Sequence, residues 1–198
     1  VSEDGDLVWD NEIDLSTNSS HFRMSPKIIA SDESHNLIAV WKETNGSQTQ
    51  RGIVAQKLDE SGTRMWNSNG INIVELNSEY DYLNLSPVGF EEDVIVVYIE
   101  QTVNMNSDIF AKRIGSEGDF IWEGEIATIT NSENSKSDLM IGNNHNIVFI
   151  SFFCFDTLQR IVSAVLSCFC ITCCSIKEKL SWVTVCHRIH LGVSLRAL

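Results

Sequence analysis

Leu58-Asp59-Glu60-Ser61-Gly62-Thr63-Arg64-Met65-Trp66 has a counterpart further along this chain of 198 residues. Ile114-Gly115-Ser116-Glu117-Gly118-Asp119-Phe120-Ile121-Trp122 carries the same Gly-x-x-x-Trp core, and Gly5-Asp6-Leu7-Val8-Trp9 reads as the tail of an earlier copy. The three glycines, Gly5, Gly62 and Gly118, fall at an almost constant interval. A fixed period of this size marks a repeat architecture, in which each unit buries its apolar faces against its neighbours.

The text around the motif repeats as well. Pro26–Ala30 predicts a short strand, and Leu37–Trp41 is apolar on both alternating faces, the pattern of a strand covered on both sides. Gly52–Leu58 predicts a third strand, and the Gly62 turn leads into a fourth from Arg64 to about Trp66, with Ile71–Val74 following. In the second copy, Asp93–Tyr98 lies under Asn36–Trp41, which puts Tyr98 one period after Trp41. Ile109–Ile114 lies under Ile53–Leu58 at the same interval that separates Gly62 from Gly118, and Asn146–Ser151 opens a third copy. The match is poorest at the start of the unit, where Ser86-Pro87 sits four residues nearer the next strand than Ser25-Pro26 does.

Four short strands joined by polar turns describe an antiparallel meander that must stack on similar sheets to bury both faces. Glycine suits the hairpin turn because it alone adopts φ > 0 without a steric cost. The Trp on the following strand is large enough to fill the gap between sheets, and Ala55 and Ala111 are small where sheets approach. These features together predict an all-β fold, an incomplete β-propeller built of four-stranded antiparallel blades of about 56–57 residues. Residues 1–18 would end a truncated blade, 19–77 and 78–132 would be blades, and 133–153 would start a further one. The structural repeat positions are Gly5, Gly62, Gly118, Trp9, Trp66, Trp122, Trp41 and Tyr98. An open array leaves sheet faces unpartnered, so residues 1–153 alone are expected to be marginally stable or prone to aggregate.

The net charge of −13 is unevenly placed: residues 1–153 hold 25 acidic against 9 basic side chains, while 154–198 hold 2 against 5. An acidic repeat region repels a phosphate backbone, which argues against nucleic acid as a partner. All 6 cysteines lie between Cys154 and Cys186, so the repeats use no disulfide or thiolate metal site. In the same tail the period fails. Lys177-Glu178-Lys179 stands about where the glycine turn is due, and Trp182 has Glu178, not Gly, four residues before it. Period, charge and composition change together after Phe153, which reads as an atypical Cys-rich tail, 154–198, of the kind a frameshifted, out-of-frame gene end produces. Ile161–Ile176 carries no charge but is slightly short of a membrane span. A start at Val1, inside a repeat, points to a longer protein whose other domains would be the partners of this segment.

No catalytic, cofactor-binding or metal-binding residue is assigned. Glu91-Glu92 and Asp59-Glu60 are adjacent pairs at turns, where neighbouring side chains diverge into solvent. Asn104–Asp108 and Asp4–Asp6 lack the spacing of a calcium loop. His35 and His145 occupy equivalent turn positions, with Glu92 in the copy between, which reads as surface chemistry of the repeat. Cys168-x-Cys170, Cys173-Cys174, Cys186-His187 and His190 do not form the paired C-x-x-C knuckles of a zinc site.

Ile53-Val54-Ala55-Gln56-Lys57-Leu58-Asp59-Glu60-Ser61-Gly62-Thr63-Arg64-Met65-Trp66 resembles the propeller-like repeats of large secreted and surface proteins of the Bacteroidetes type. Those units run as Ile-x-Ala-Gln-x-Leu-Asp-x-x-Gly-x-x-x-Trp. The second copy keeps Ile109, Ala111, Gly118 and Trp122 but has Lys112 for Gln and Gly115 for Asp. The resemblance covers about residues 1–153 and implies an extracellular or cell-surface location and a non-catalytic binding or scaffold module. The alternative is part of a propeller enzyme, glycoside hydrolase-like or quinoprotein-like. Quinoprotein units are shorter, and the sialidase Asp-box places its Trp three residues after Gly, whereas here the interval is four in all three copies.

Overall fold

The computed structural model describes Trp9 and residues 11–30, 36–122, 124, 126–130, 135–144, 147–155, 168–175 and 181–187. Gly5, His35, His145 and His190 therefore lie outside the described residues. The described chain is all-β. Its first sheet runs β1 (Phe22–Ala30), β2 (Leu37–Thr44), β3 (Arg51–Leu58) and β4 (Ile71–Asn77). The second runs β5 (Tyr80–Phe90), β6 (Asp93–Thr102), β7 (Ser107–Ile114) and β8 (Ala127–Thr130). The third runs β9 (Ser135–Asn144), β10 (Ile147–Phe155), β11 (Cys168–Ser175) and β12 (Ser181–His187). All three are antiparallel meanders in chain order. Strands β11 and β12 come from the Cys-rich segment that the lost period sets apart.

The sheets stack through alternating strand faces, as a two-residue side-chain period requires. Ile38 and Val40 of β2, with Ile53 and Ala55 of β3, meet Val96 and Tyr98 of β6 in one buried cluster. The other face of β6, Ile95, Val97 and Ile99, packs with Leu139 of β9 and Ile150 of β10 in a second cluster. Ala39, Trp41 and Val54 point away from the second sheet and are covered with help from Leu15. In register, Val40 pairs with Ala55 and Val97 with Ala111, so Trp41 and Tyr98 are equivalent and both buried.

The two motif copies fold into the same loop. Asp59 N donates to Thr63 O at 3.0 Å and Gly62 N to Asp59 O at 2.9 Å. Gly115 N to Asp119 O at 2.9 Å and Gly118 N to Gly115 O at 3.0 Å repeat the pattern in the next unit. Gly62 and Gly118 sit at φ of +83° and +92°, where a Cβ would be strained. The Trp, however, is not on the fourth strand. Arg64 makes a single bridge to Leu58, Trp66 lies in a bend, and the fourth strand begins at Ile71. Phe120, Trp122 and Ala127 follow the same sequence of bridge, bend and strand.

Leaving the ladder frees the indole to reach across to the next sheet. Trp66 Nε1 donates to Ser116 O at 3.1 Å, and its ring lies against Gly118, where a Cβ would stand 3.0 Å from Trp66 Cδ1. Trp9 does the same one unit earlier: Nε1 donates to Glu60 O at 2.8 Å, and its Cε2 lies 3.5 Å from where a Gly62 Cβ would be. Each indole therefore docks on the carbonyl two residues before the next unit's glycine. The chain around Trp9 is no regular strand in its described part; residues 11–18 run as a strap over the first sheet's own loop. Thr17 N donates to Ser68 O at 3.1 Å, and Gln56 Nε2 donates to Leu15 O at 3.3 Å.

Candidate functional site: a cleft between the first strands

Strands β1, β5 and β9 each open a sheet and pair on one side only, with β2, β6 and β10. Each also carries a β-bulge. The register of β1 slips between Met24 and Lys27, that of β5 between Leu83 and Ser86, and that of β9 against β10 between Ser151 and Phe153. A bulge re-aims side chains by inserting a residue with no partner across the ladder. Here it puts Ser25 at φ of +53° and Asn84 at +50°, a left-handed conformation unusual away from glycine. Lys27 pairs with Val40 and Ser86 with Val97, so Ser25 is equivalent to Asn84 and not to Ser86. That shift explains why the sequence copies match poorly here.

Between the three bulges lies a cleft of about 560 Å³. Its polar lining is Ser25, Lys27, Lys42, Asn84 and Ser86, its aromatic wall is Tyr82, and Leu83, Leu85, Leu139 and Met140 complete it. No carboxylate is among these lining residues. Lys42 reaches Asp81 Oδ1 at 3.0 Å, and Arg51 Nε stands 3.8 Å from the same oxygen. Lys27 is exposed and has no ion pair among the described residues.

The wall is rigid. Tyr82 is fully buried, stacks edge-on against Tyr98 with ring centres 5.9 Å apart, and shares its hydroxyl with Asn77 Nδ2. Burial pushes the Tyr82 hydroxyl up to about 12, so it stays a neutral donor and acceptor across the physiological range. Asn77 Oδ1 also accepts from Tyr80 N at 3.1 Å, tying the link between the first two sheets. Opposite Tyr82 on β6 stands Glu100, itself opposite Asp108 on β7. Burial, then the nearby Asp108 carboxylate, holds Glu100 above the usual carboxylate range.

None of the described repeat positions chosen from the sequence is among the described lining residues of the cleft. Trp66 is buried between sheets, Trp122 is half-buried against the second cluster, and Trp41 and Tyr98 are core. Glu91 and Glu92 are exposed in the β5–β6 turn, and Asp59 closes the motif loop. No group of three or more His, Cys, Asp or Glu able to hold a metal occurs among the described residues. No helix among them is long and apolar enough to cross a membrane. The residues that the sequence reading missed are Ser25, Lys27, Lys42, Asp81 and Asn84. Their one signal was the misfit around the two Ser-Pro pairs.

No protein-family model matches the chain, and no curated protein matches it. Among solved structures it is similar to an endo-arabinase from Bacteroides thetaiotaomicron, with a TM-score of 0.51 and 12% identity. The match covers 83% of this chain and 61% of that one, so the chain spans about three-fifths of the neighbour's length. At this identity the likeness concerns the fold, and it supports an all-β architecture of the propeller kind.

Proposed function

We propose that the chain is part of an exported, propeller-type module that binds a saccharide in the cleft between β1, β5 and β9. The observation that carries this reading is the lining: hydroxyl, amide and ammonium donors beside the apolar side chains of Leu83 and Met140, over a rigid and fully buried Tyr82, with no carboxylate among the described lining residues. Sugars are held by such a mixture, polar groups fixing orientation and apolar side chains covering C–H patches. A bound saccharide and the other domains of a longer chain are the partners this reading implies. The endo-arabinase likeness and the Bacteroidetes-type motif support a carbohydrate context and an extracellular or surface location.

The alternative reading is a glycoside hydrolase, and the named activity of that neighbour favours it over a purely passive scaffold. Hydrolysis needs two carboxylates about 5–9.5 Å apart flanking the bond. Among the described residues, Asp81 is paired with Lys42 at 3.0 Å, and the perturbed Glu100 stands on β6 opposite Asp108, outside the lining. Calorimetric titration with arabino-oligosaccharides and acidic oligosaccharides, run beside a reducing-end assay, tests both. Binding without release of reducing ends is the expected result. Release of reducing ends would establish the enzyme reading, and no binding to any oligosaccharide would remove the cleft as a sugar site.

A further inference from the structure

We infer that the saccharide taken by this cleft is an acidic one, whose carboxylate is held by Lys27 together with the Lys42–Asp81–Arg51 group. The inference rests on the reading of the cleft as a saccharide site and names the class of sugar. The chain carries a net charge of −13, so cationic ground is scarce in it. Yet Lys27 and Lys42 line this cleft, and Lys42 and Arg51 both stand within ion-pair distance of the Asp81 carboxylate. Glu43, the next carboxylate on β2, is already engaged by His21 at 3.3 Å and Arg23 at 3.6 Å. Lys27 is thus an ammonium with no ion pair among the described residues, at the rim of a cavity whose described lining residues include no acidic group.

Two further features point to a built site. Ser25 and Asn84 hold left-handed backbone at non-glycine positions, and both face the same cavity. Strain of this kind persists only where the surrounding structure enforces it, and it collects at ligand sites. The bulges also flank Lys27 and Ser86 at equivalent positions of adjacent sheets, so one ammonium and one hydroxyl face the ligand from matching places. A carboxylate makes a charge-assisted bond with Lys27, whereas a neutral sugar offers that ammonium only uncharged hydroxyl acceptors. Beyond the cleft, the acidic surface repels a long polyanion, so short acidic oligosaccharides or chain ends are the forms admitted.

The test uses the full chain and three probes: trigalacturonate, its fully methyl-esterified form, and arabinotriose. The first two differ chiefly in charge. At low salt the free acid is expected to bind about fivefold more tightly than the ester, a preference that half-molar sodium chloride abolishes. Lys27→Gln, at an exposed position, is expected to keep the wild-type melting temperature and to lose that preference. Lys27→Glu should invert it. Equal binding of acid and ester, or a preference that survives Lys27→Gln, overturns the inference and leaves a neutral-sugar site standing. Failure of all three probes to bind overturns both this inference and the saccharide reading.

Discussion

The loops Leu58–Trp66 and Ile114–Trp122 share a backbone and differ in what supports it. In the first, Gln56 is fully buried: its amide donates to Asn67 O at 2.7 Å and accepts from Trp66 N at 3.3 Å. Asp59 braces the turn by accepting from Thr63 N at 2.8 Å and from Ser61 Oγ at 2.7 Å. In the second, Lys112 replaces Gln56 and lies 4.5 Å over the Phe120 ring, while Gly115 replaces Asp59. The loop survives both changes. What the geometry requires is the left-handed glycine and the backbone hydrogen bonds; the side-chain braces add stability without deciding the shape. The indoles differ too, since Trp66 is 9% exposed and hydrogen-bonded to the next sheet, whereas Trp122 is half-buried.

The largest expected effect separates the two indoles. Trp66→Ala should cost about 3–5 kcal/mol, the loss typical of emptying a packed aromatic site, and Trp122→Ala distinctly less. Urea midpoints of the two variants would show the order, and equal losses would contradict the asymmetry. Next comes Gln56→Ala, which strands the buried Trp66 N–H and removes the donor to the part-buried Asn67 carbonyl, and should cost about 1–3 kcal/mol. Lys112→Ala, removing a cation over a ring at a partly exposed position, should cost about 1 kcal/mol or less.

Gly62→Ala and Gly118→Ala should each cost about 1–2 kcal/mol from the left-handed backbone alone. Gly118→Ala should cost more than that, because its Cβ would press on the Trp66 ring, while at Gly62 the nearest atom is the mobile tip of Ile13. The smallest effect is on the acid side. Hydrogen bonds from Ser61 and Thr63 hold Asp59 below its ordinary value of 3.8. A depressed carboxylate contributes stability that is present above the unfolded value and is lost as pH falls through the folded one. Asp59→Ala should therefore slightly flatten the stability profile below about pH 4, and a profile unchanged in shape would deny the brace any role.

The repeat was legible because its chemistry is narrow: a φ near +90° calls for glycine, and a gap between sheets calls for a large ring. The equivalence of Ala55 with Ala111 was legible too, and the structure pairs them with Val40 and Val97, equivalent residues of their own strands. The place of Trp66 was misread because Gly-x-x-x-Trp looks like a hairpin running straight into a strand. Only one bridge forms after the turn, and the chain bends so that the indole reaches Ser116 O.

The cleft was not legible at all. It arises from register slips at Ser25 and Asn84, residues of different type that stand further apart in the chain than Gly62 and Gly118 do. A bulge depends on the partner strand, and no local pattern announces it. Lys27 and Lys42 gain meaning only once β1 and β2 are paired, and Asp81 only once the second sheet is laid beside the first.

The central claim is that the indole of one sheet docks on the glycine loop of the next, and the double-mutant cycle between Trp66→Leu and Gly118→Ala tests it most directly. If the ring lies against the Gly118 Cα, removing it relieves part of the penalty of adding a Cβ there. Gly118→Ala should then cost at least about 0.5 kcal/mol less in the Trp66→Leu background than in the wild type. An equal cost in both backgrounds would mean that the two residues do not meet, and the docking of sheet on sheet through this motif would be wrong.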